Sequence, residues 1–448
     1  MGRSILLLGA MALMLTIGNG RAAPAEDDLA AIARDAYVFT FPLYEMYRIR
    51  FLAECSPFNP HHATPNTFRH RRQPADANSR AVTTPNADTL YSSAFLDLSP
   101  GPLLLQVPAT ADRYYSLAFM DFYTNNFAYV GTRTTGNGAG RYLIVGPGWR
   151  GAAPRDTAVI HAPTNAVWLL GRFLVDGPQG LAAAHRAQDG LRLAPLDRTQ
   201  AAPSSCRGPA VEAADPWNYF AVVDYALTEN PPPARDAGML ARIAAIGVGP
   251  GHQFDAARRD ARAQQAILAG IAQAKAQIAT APMRGKIVNG WAYPPPGVGD
   301  AGADYLLRAA VALKGLAALT ASEAIYLSYV GRPLVGEHRY RLHFAAGEEP
   351  PTRAFWSLSA YEIMPDKRRF FAANPMARYS IGDKTPGVKR NADGSLDILI
   401  EHESPGVAQE SNWLPAPNGP FAISLRAYWP EAPLLADAYA PPSVESLP

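Results

Sequence analysis

The sequence predicts an α+β protein of several domains, in which two β-rich parts enclose a helical one. From Leu90 onward, short segments with alternating apolar residues are separated by turns that contain glycine and proline, which is typical of a β-sandwich. Helical spacing replaces this pattern in the middle of the chain, and alternation returns after Gly336. The length of 448 residues is sufficient for two or three domains.

The first 23 residues have the layout of a signal peptide. Arg3 precedes the apolar stretch 5–17, and small residues follow as far as a cleavage point after Ala22 or Ala23. The apolar stretch is short for a membrane span, and an uncleaved anchor is the alternative. No second hydrophobic segment follows, so we expect a periplasmic or secreted protein whose mature chain has no membrane span.

Charge and cysteine content argue against two classes of function. The formal net charge of +2 gives no reason to expect nucleic-acid binding, which needs a dense basic stripe. The sequence has two cysteines, Cys55 and Cys206, which are too few for a zinc–thiolate site. They can form one disulfide in an oxidising compartment, but their positions in the sequence leave open whether they meet.

The N-terminal domain, residues 24–180, should contain a helix followed by a β-sandwich. Helical spacing covers 26–52, and Pro42 predicts that the helix ends or restarts there. The polar stretch 55–86 is rich in arginine and histidine, so it is either a solvated loop or a lid that attracts an anionic ligand. Strands are expected at 90–98, 103–107, 113–123, 141–145 and 166–175.

Residues 181–335 should form a helical module, and residues 336–448 a second β-rich domain. Apolar stripes predict helices within 215–230, 254–278 and 303–330. In the last domain, strands are expected at 338–344, 354–362, 395–402 and 421–429.

Several stretches resemble a bacterial pairing of two families. TTPNADTLYSSAFLDLS, RYYSLAFMDFYTNNFAYVGTRTTG, YLIVGPGW and APTNAVWLLGRFLV resemble domain-of-unknown-function family 1254, on the N-terminal side. RAFWSLSAYE, NPMARYSIGD, NADGSLDILIEHESPG and NWLPAPNGPFAISLRAYWP resemble family 1214, on the C-terminal side. The resemblance covers nearly all of the mature chain. It implies an immunoglobulin-like N-terminal sandwich, a helical part and a jelly-roll-like C-terminal sandwich, and it implies no activity.

Acidic and amide side chains beside the first strands are the candidate catalytic and metal-binding residues. Asp88 precedes one predicted strand, and Asp121 lies near the end of another. If these strands are neighbours in suitable register, both carboxylates approach one rim, where Asn86 or an asparagine after Asp121 adds an amide oxygen. Such a set suits Ca²⁺ or Mg²⁺. Alternatively, the two acids divide the acid and base roles, with Tyr91 beside them. Asx turns and tyrosines that seal the sandwich edge are the structural alternative.

Aromatic and arginine side chains are the candidate substrate-binding residues: Tyr115, Tyr123, Arg172, Trp413, Arg426 and Tyr428. The arginines would accept an anionic group. Trp413, in a proline-rich loop, and Tyr428 would form a shallow platform for a sugar or an acid, or else an aromatic plug that closes the sandwich. Arg172 also belongs to a set with Arg308, Glu323 and Tyr326, for which interdomain salt bridges are the alternative.

These residues leave three functional hypotheses. The first is an exported hydrolase, assisted by Ca²⁺ or Mg²⁺, that acts on a small phosphorylated or carboxylated substrate. The second is a periplasmic protein that binds a glycan or another envelope ligand without catalysis. The third is a structural envelope protein whose polar clusters only fix its domains. The sequence contains no nucleophile elbow, P-loop or zincin motif.

Overall fold

The computed structural model describes residues 26–57, 59, 62–80, 83–365 and 367–448. The described residues form an α+β structure with four β-sheets. The predicted signal peptide at 1–23 lies outside the described residues.

The helices are α1 (Glu26–Glu54), α2 (Gly177–Asp189), α3 (Asn218–Glu229), α4 (Ala237–Ile243), α5 (Ala261–Thr280), α6 (Tyr305–Lys314) and α7 (Ala432–Leu435). The strands of the N-terminal half are β1 (Arg69–His70), β2 (Thr89–Asp97), β3 (Leu103–Val107), β4 (Tyr115–Asp121), β5 (Asn126–Gly131), β6 (Gly140–Val145), β7 (Ala158–His161), β8 (Ala166–Leu174) and β9 (Arg192–Pro195). Those of the C-terminal half are β10 (Ile287–Val288), β11 (Trp291–Ala292), β12 (Ala324–Tyr329), β13 (Leu334–Val335), β14 (Arg339–Phe344), β15 (Thr352–Ile363), β16 (Arg369–Phe370), β17 (Ser380–Gly382), β18 (Leu396–Glu401), β19 (Trp413–Pro415), β20 (Pro420–Pro430) and β21 (Val444–Leu447).

Two sheets of the N-terminal half share one hydrophobic core. The five-stranded sheet has the order β1-β2-β8-β4-β5, and the four-stranded sheet has the order β7-β6-β3-β9. Because side chains of a strand alternate between faces, Leu90 and Leu96 of β2 enter the core between these sheets. Tyr91 of the same strand lies on the opposite face and packs against the helices. The strands predicted in this half are confirmed, and the structure adds β1, β5, β7 and β9, which were not predicted.

The helical core is built around α1, which differs from its prediction. The helix continues through Pro42, although a proline inside a helix typically costs about 3 kcal/mol. Ala33, Ala36, Leu43 and Met46 of α1 are fully buried among the other helices. Burial on both sides of the proline offsets its cost, so the helix does not end there.

The C-terminal half also contains two sheets around one core. The larger has the order β10-β11-β12-β20-β15-β16, with β13 and β17 attached, and the smaller has the order β19-β18-β14-β21. The helix predicted at 303–330 is wrong in its second half. The helix α6 ends at Lys314, before Gly315, and Ala324–Tyr329 is the strand β12. Aromatic and β-branched residues of this segment favour a strand, and pairing with β20 completes the sheet.

Contacts between the halves place the five-stranded sheet against the larger C-terminal sheet. Tyr114 and Leu174 pack in one buried cluster with Phe355 and Tyr428. Elsewhere, Cys55 and Cys206 form a disulfide, with Cα atoms 5.1 Å apart, which joins the end of α1 to the segment before α3. Among the described helices, none combines the length and the apolar character that a membrane span requires.

Candidate functional site at the seam between the sheets

A turn before β2 carries polar side chains into the contact between the two large sheets. The backbone N–H of Asp88 donates to Oδ1 of Asn86 at 2.7 Å, which is an Asx turn. The side-chain nitrogen of Asn86, Nδ2, donates to the hydroxyl of Tyr428 at 2.6 Å. The Asx turn predicted at this position is therefore confirmed, and its side chains also reach across to the other half of the protein.

The carboxylate of Asp88 is held by two serine hydroxyls of the C-terminal sheet. Ser357 of β15 donates to Oδ2 at 2.6 Å, and Ser380 of β17 donates to Oδ1 at 2.6 Å. These strands are neighbours, with Ser357 opposite Gly382, so one carboxylate bridges both. Asp88 is buried, with 7% of its surface exposed. Both carboxylate oxygens are used by the protein itself.

Next to Ser357, a row of side chains crosses three strands of the larger sheet. Register places Arg426 of β20 between Ser357 of β15 and Tyr326 of β12. The buried Arg426 guanidinium donates to Ser359 at 2.8 Å and to the carbonyl oxygens of Thr84 and Pro85 at 3.1 and 3.2 Å. These hydrogen bonds tie the TTPN segment to the sheet.

Arg172 of β8 faces this row from the five-stranded sheet. Its Nη2 donates to the carbonyl of Ala317 at 2.8 Å, and its guanidinium carbon lies 5.3 Å from the centre of the Tyr91 ring. Its Nη1 is buried and has no hydrogen-bond partner. Burial opposes the charge, but Tyr91 and Tyr326 raise the pKa of Arg172 above its ordinary value. Among the described residues, no carboxylate lies within salt-bridge distance of Arg172.

We call this set the polar seam: Asn86, Asp88, Tyr91, Arg172, Tyr326, Ser357, Ser380, Arg426 and Tyr428. Glu323 closes one side of it. Its carboxylate accepts from Tyr114 at 2.7 Å and from Arg133 at 2.6 Å. The interdomain salt bridge expected for Glu323 is thus confirmed, and its partner is Arg133 from the N-terminal half.

Asp121 lies far from Asp88, contrary to the predicted convergence. The strands β2 and β4 flank β8 on opposite sides. Asp88 lies beside Val175, whose N–H donates to the Asp88 carbonyl, whereas Asp121 pairs with Val167, at the other end of β8. At about 3.3 Å per residue, the two acids are about 25 Å apart, at opposite ends of β8. The prediction of a metal or acid–base site shared by Asp88, Asp121 and Asn86 is therefore wrong. No group of three or more His, Cys, Asp or Glu suited to a metal occurs in the described part of the chain.

Local bonds explain Asp121 without a ligand. Its Oδ1 accepts from the N–H groups of Tyr123 and Asn125 at 2.8 and 2.9 Å, which is again an Asx turn. Burial raises the pKa of Asp121, against the opposing effects of Asn125 and Arg308. Arg308 is nearly fully buried and interacts with both Asp121 and Asp236. Asp121 and Asp236 therefore share Arg308 as a positively charged neighbour.

Three further predicted ligand residues lie outside the polar seam. Tyr115 faces the core of the N-terminal sheets, stacked on Phe173 with ring centres 5.8 Å apart. The hydroxyl of Tyr123 donates to the carbonyl of Asn230 at 2.6 Å. Trp413 is 2% exposed, and its indole donates to the carbonyl of Glu401 at 2.8 Å. A glycan platform at Trp413 is wrong because the ring is buried, and the aromatic plug is the correct alternative.

A cavity of about 320 Å³ lies against the outer face of β2, on the side of the polar seam where Tyr91 stands. Its described lining residues are Ala53, Ala63, Thr67, Arg69, His70, Arg71, Tyr91, Ser93, Ala94 and Phe95. Tyr91 is thus shared by this cavity, which we call the groove, and by the contact with Arg172. Part of the basic loop predicted before β2 lines the groove.

Sequence reasoning missed Ser357 and Ser380. In AFWSLSAYE the apolar residues alternate with serines and a tyrosine, so one face of β15 is polar. A polar strand face ordinarily faces solvent. The signal that distinguishes this face is its aromatic residue, Tyr361, whose hydroxyl donates to the carbonyl of Pro85 at 2.9 Å.

Comparisons with known proteins identify two matching family models and a solved structure of similar fold. The model of the family "Protein of unknown function (DUF1254)" matches residues 65–195, and that of "Protein of unknown function (DUF1214)" matches residues 323–432. A crystal structure of the VPA0106 protein from Vibrio parahaemolyticus is similar, with 22% identity, a TM-score of 0.73, and coverage of 95% of this chain and 100% of that one. A crystal structure of an uncharacterized protein from Burkholderia cenocepacia has 14% identity and a TM-score of 0.44, with 94% of each chain covered. No curated protein matches.

Proposed function

This chain belongs to the proteins that pair a DUF1254 region with a DUF1214 region, and since this pairing implies no activity, we propose a function from the polar seam. The protein binds a small anionic compound at Arg172. The Vibrio structure, at 22% identity, supports the fold alone.

The buried Nη1 of Arg172, which has no hydrogen-bond partner, is the observation that carries this proposal. An arginine side chain does not lose its proton in proteins, so Arg172 is a permanent charge that is 5% exposed. A buried charge is costly unless a counter-ion or hydrogen bonds compensate it. The protein supplies one hydrogen bond, through Nη2, and leaves Nη1 without a partner. A bound anion would supply the missing counter-charge and acceptor.

The surroundings favour binding of an anion over its exclusion. The ring of Tyr91 lies against the guanidinium, Tyr326 is close by, and burial raises the pKa of Tyr326 to about 12. The Tyr326 phenol therefore keeps its proton near neutral pH. A neutral phenol can donate a hydrogen bond to an anion, whereas a carboxylate in its place would repel it.

A hydrolase is the second candidate function, and the contact between Asp88 and Ser357 favours it. The Ser357 hydroxyl lies 2.6 Å from Oδ2 of Asp88, within the distance at which a carboxylate can accept a proton from an attacking hydroxyl. We do not retain the metal-assisted form, since Asp121 lies at the far end of β8.

Export and the finer domain assignments are also part of the proposal. The Cys55–Cys206 disulfide supports an oxidising compartment, in agreement with the apolar stretch 5–17 and its cleavage point. The two packed sheets of each half support the immunoglobulin-like and jelly-roll-like assignments of the N-terminal and C-terminal domains.

Titration of the purified mature protein with sodium acetate, benzoate and phosphate tests the anion proposal. We expect calorimetric binding of at least one anion and its loss in Arg172→Met, because methionine keeps an apolar stem without the charge. Without a bound anion, Arg172→Met should have a free energy of unfolding within about 1 kcal/mol of that of the wild type, because removing an uncompensated buried charge has little cost.

Arg50→Met is the matched control. Arg50 is equally buried but forms a salt bridge with Glu229 at 2.8 Å. This variant should lose about 3 kcal/mol of stability, because Glu229 loses its closest partner, and it should bind anions as the wild type does. Equal anion binding by wild type and Arg172→Met would refute the proposal. Ester hydrolysis that disappears in Ser357→Ala would favour the second candidate.

A further inference from the structure

We propose that the groove beside Tyr91 holds the apolar part of the ligand, so that the compound is an aromatic carboxylate with a single negative charge. This inference rests on the proposed function, because it extends the site of Arg172 into the neighbouring cavity. Four observations on the groove lead to it: volume, lining, charge and position.

The volume limits the size of the compound. The groove measures about 320 Å³, which is at the lower end of the range of about 300–1,000 Å³ for small-molecule sites. A compound with one ring, or with a short hydrocarbon chain, fits this space. A folded partner or a long glycan does not.

The lining favours an aromatic group. Tyr91 and Phe95 both lie on the outer face of β2, and Phe95 is stacked on Trp168 with ring centres 5.6 Å apart. Ala53 and Ala63 line the groove as well, and their side chains are small. Rings held in place in this way offer stacking surface at little entropic cost.

The charge of the groove is positive. Arg69 and Arg71 line it, whereas its described lining contains no acidic residue. Arg69 is exposed and forms no salt bridge with any described residue, and Arg71 donates to Ser79 at 2.7 Å. Burial lowers the pKa of His70, so the arginines alone supply the charge at neutral pH. These exposed groups attract an anion to the entrance, where their pairing energy is small.

The position of Tyr91 connects the groove with the buried charge. Its side chain lines the groove, and its ring also lies against the Arg172 guanidinium. Arg172 carries one uncompensated charge and one free nitrogen, which matches a carboxylate better than a doubly charged phosphate. A compound with its ring in the groove would therefore place its carboxylate beside Tyr91, towards Arg172.

The experiment compares acetate, benzoate and benzyl alcohol as probes by calorimetric titration of the mature protein. If the groove holds the ring, benzoate should bind at least 10-fold more tightly than acetate, and benzyl alcohol should bind more weakly than benzoate. In Ala53→Leu, which fills part of the groove and keeps a strong helix former, benzoate affinity should fall at least 10-fold while acetate affinity stays unchanged. Ala272→Leu, at an exposed position of α5, is the control and should bind both as the wild type does.

The outcomes separate this inference from the function on which it rests. Equal affinities for acetate and benzoate that both vanish in Arg172→Met, without any effect of Ala53→Leu, would overturn the groove assignment and keep the anion site. Benzoate binding that responds to Ala53→Leu and persists in Arg172→Met would overturn the link between groove and Arg172, and with it the proposed function.

Discussion

Asp88 is predicted to connect the two halves of the protein, and its replacement tests this role directly. Its carboxylate accepts hydrogen bonds from the hydroxyls of Ser357 and Ser380 at 2.6 Å each. In Asp88→Ala both bonds are lost, while the fold of β2 is otherwise unaffected because the side chain lies outside the core of its own sheets. The variant therefore reports on the contact between halves.

The magnitude follows from the burial of the two donors. Ser357 is 3% exposed, so its hydroxyl is left without an acceptor, at a cost of about 1–3 kcal/mol. Ser380 is partly exposed and can turn to water, which leaves a cost of about 0.5–1 kcal/mol. We therefore expect Asp88→Ala to lower the free energy of unfolding by about 3 kcal/mol. Asp88→Asn keeps one acceptor oxygen and should lose about half of that.

Denaturant unfolding, followed by far-ultraviolet circular dichroism, measures the change. A double-mutant cycle with Ser357→Ala should give a coupling energy of about 1–2 kcal/mol, as is usual for groups in direct contact. Asp197→Ala is the control, because the Asp197 carboxylate likewise accepts two hydrogen bonds, from the backbone N–H and the hydroxyl of Thr199, but is exposed. If Asp88→Ala and Asp197→Ala cost the same, or if the coupling energy is zero, the connecting role is refuted.

Three other perturbations have expected outcomes. Burial raises the pKa of Glu54 from 4.5 to about 7, so the folded state holds this proton more tightly than the unfolded state does. The stabilising contribution of the protonated group is full below about pH 4.5 and is lost as the pH rises through 7. Glu54→Gln should therefore raise the free energy of unfolding at pH 8 by about 2 kcal/mol. An unchanged difference between pH 5 and 8 would contradict this. Cys55→Ala with Cys206→Ala opens a link across 151 residues and should cost about 2–5 kcal/mol in thermal unfolding, whereas an equal Tm would show that the link adds nothing. Trp413→Ala should cost about 3–5 kcal/mol as a core truncation, and a variant as stable as wild type in urea would argue that the ring is not a plug.

Local patterns in the sequence were sufficient for the elements and for one turn. Alternation at 90–98 predicted β2 because one face of a strand must be apolar to enter a core. The Asx turn at Asn86 followed from chemistry within three residues. In both cases the residues that determine the structure are neighbours in the chain.

Predictions from local sequence patterns are wrong where residues distant in the chain determine the secondary structure. Helical spacing predicts a helix through 324–329, where pairing with β20 imposes a strand. Pro42 predicts that the first helix ends or restarts there, but burial of α1 on neighbouring helices overrides the proline. Propensity is a weak effect of below about 1 kcal/mol per residue for most residues. Burial of a whole face is stronger, and it depends on partners that the local sequence does not contain.

The sequence by itself determined which residues are strands and turns in most of the chain, and that arginine, tyrosine and acidic side chains cluster near β2. Only the tertiary structure decided which of them meet. Asp88 and Asp121 are separated because they lie at opposite ends of β8. Asp88 instead reaches Ser357 and Ser380, which are 269 and 292 positions later in the chain. Strand order and the packing of one sheet on another are set by the sum of many long-range contacts, and no short stretch of sequence encodes that sum.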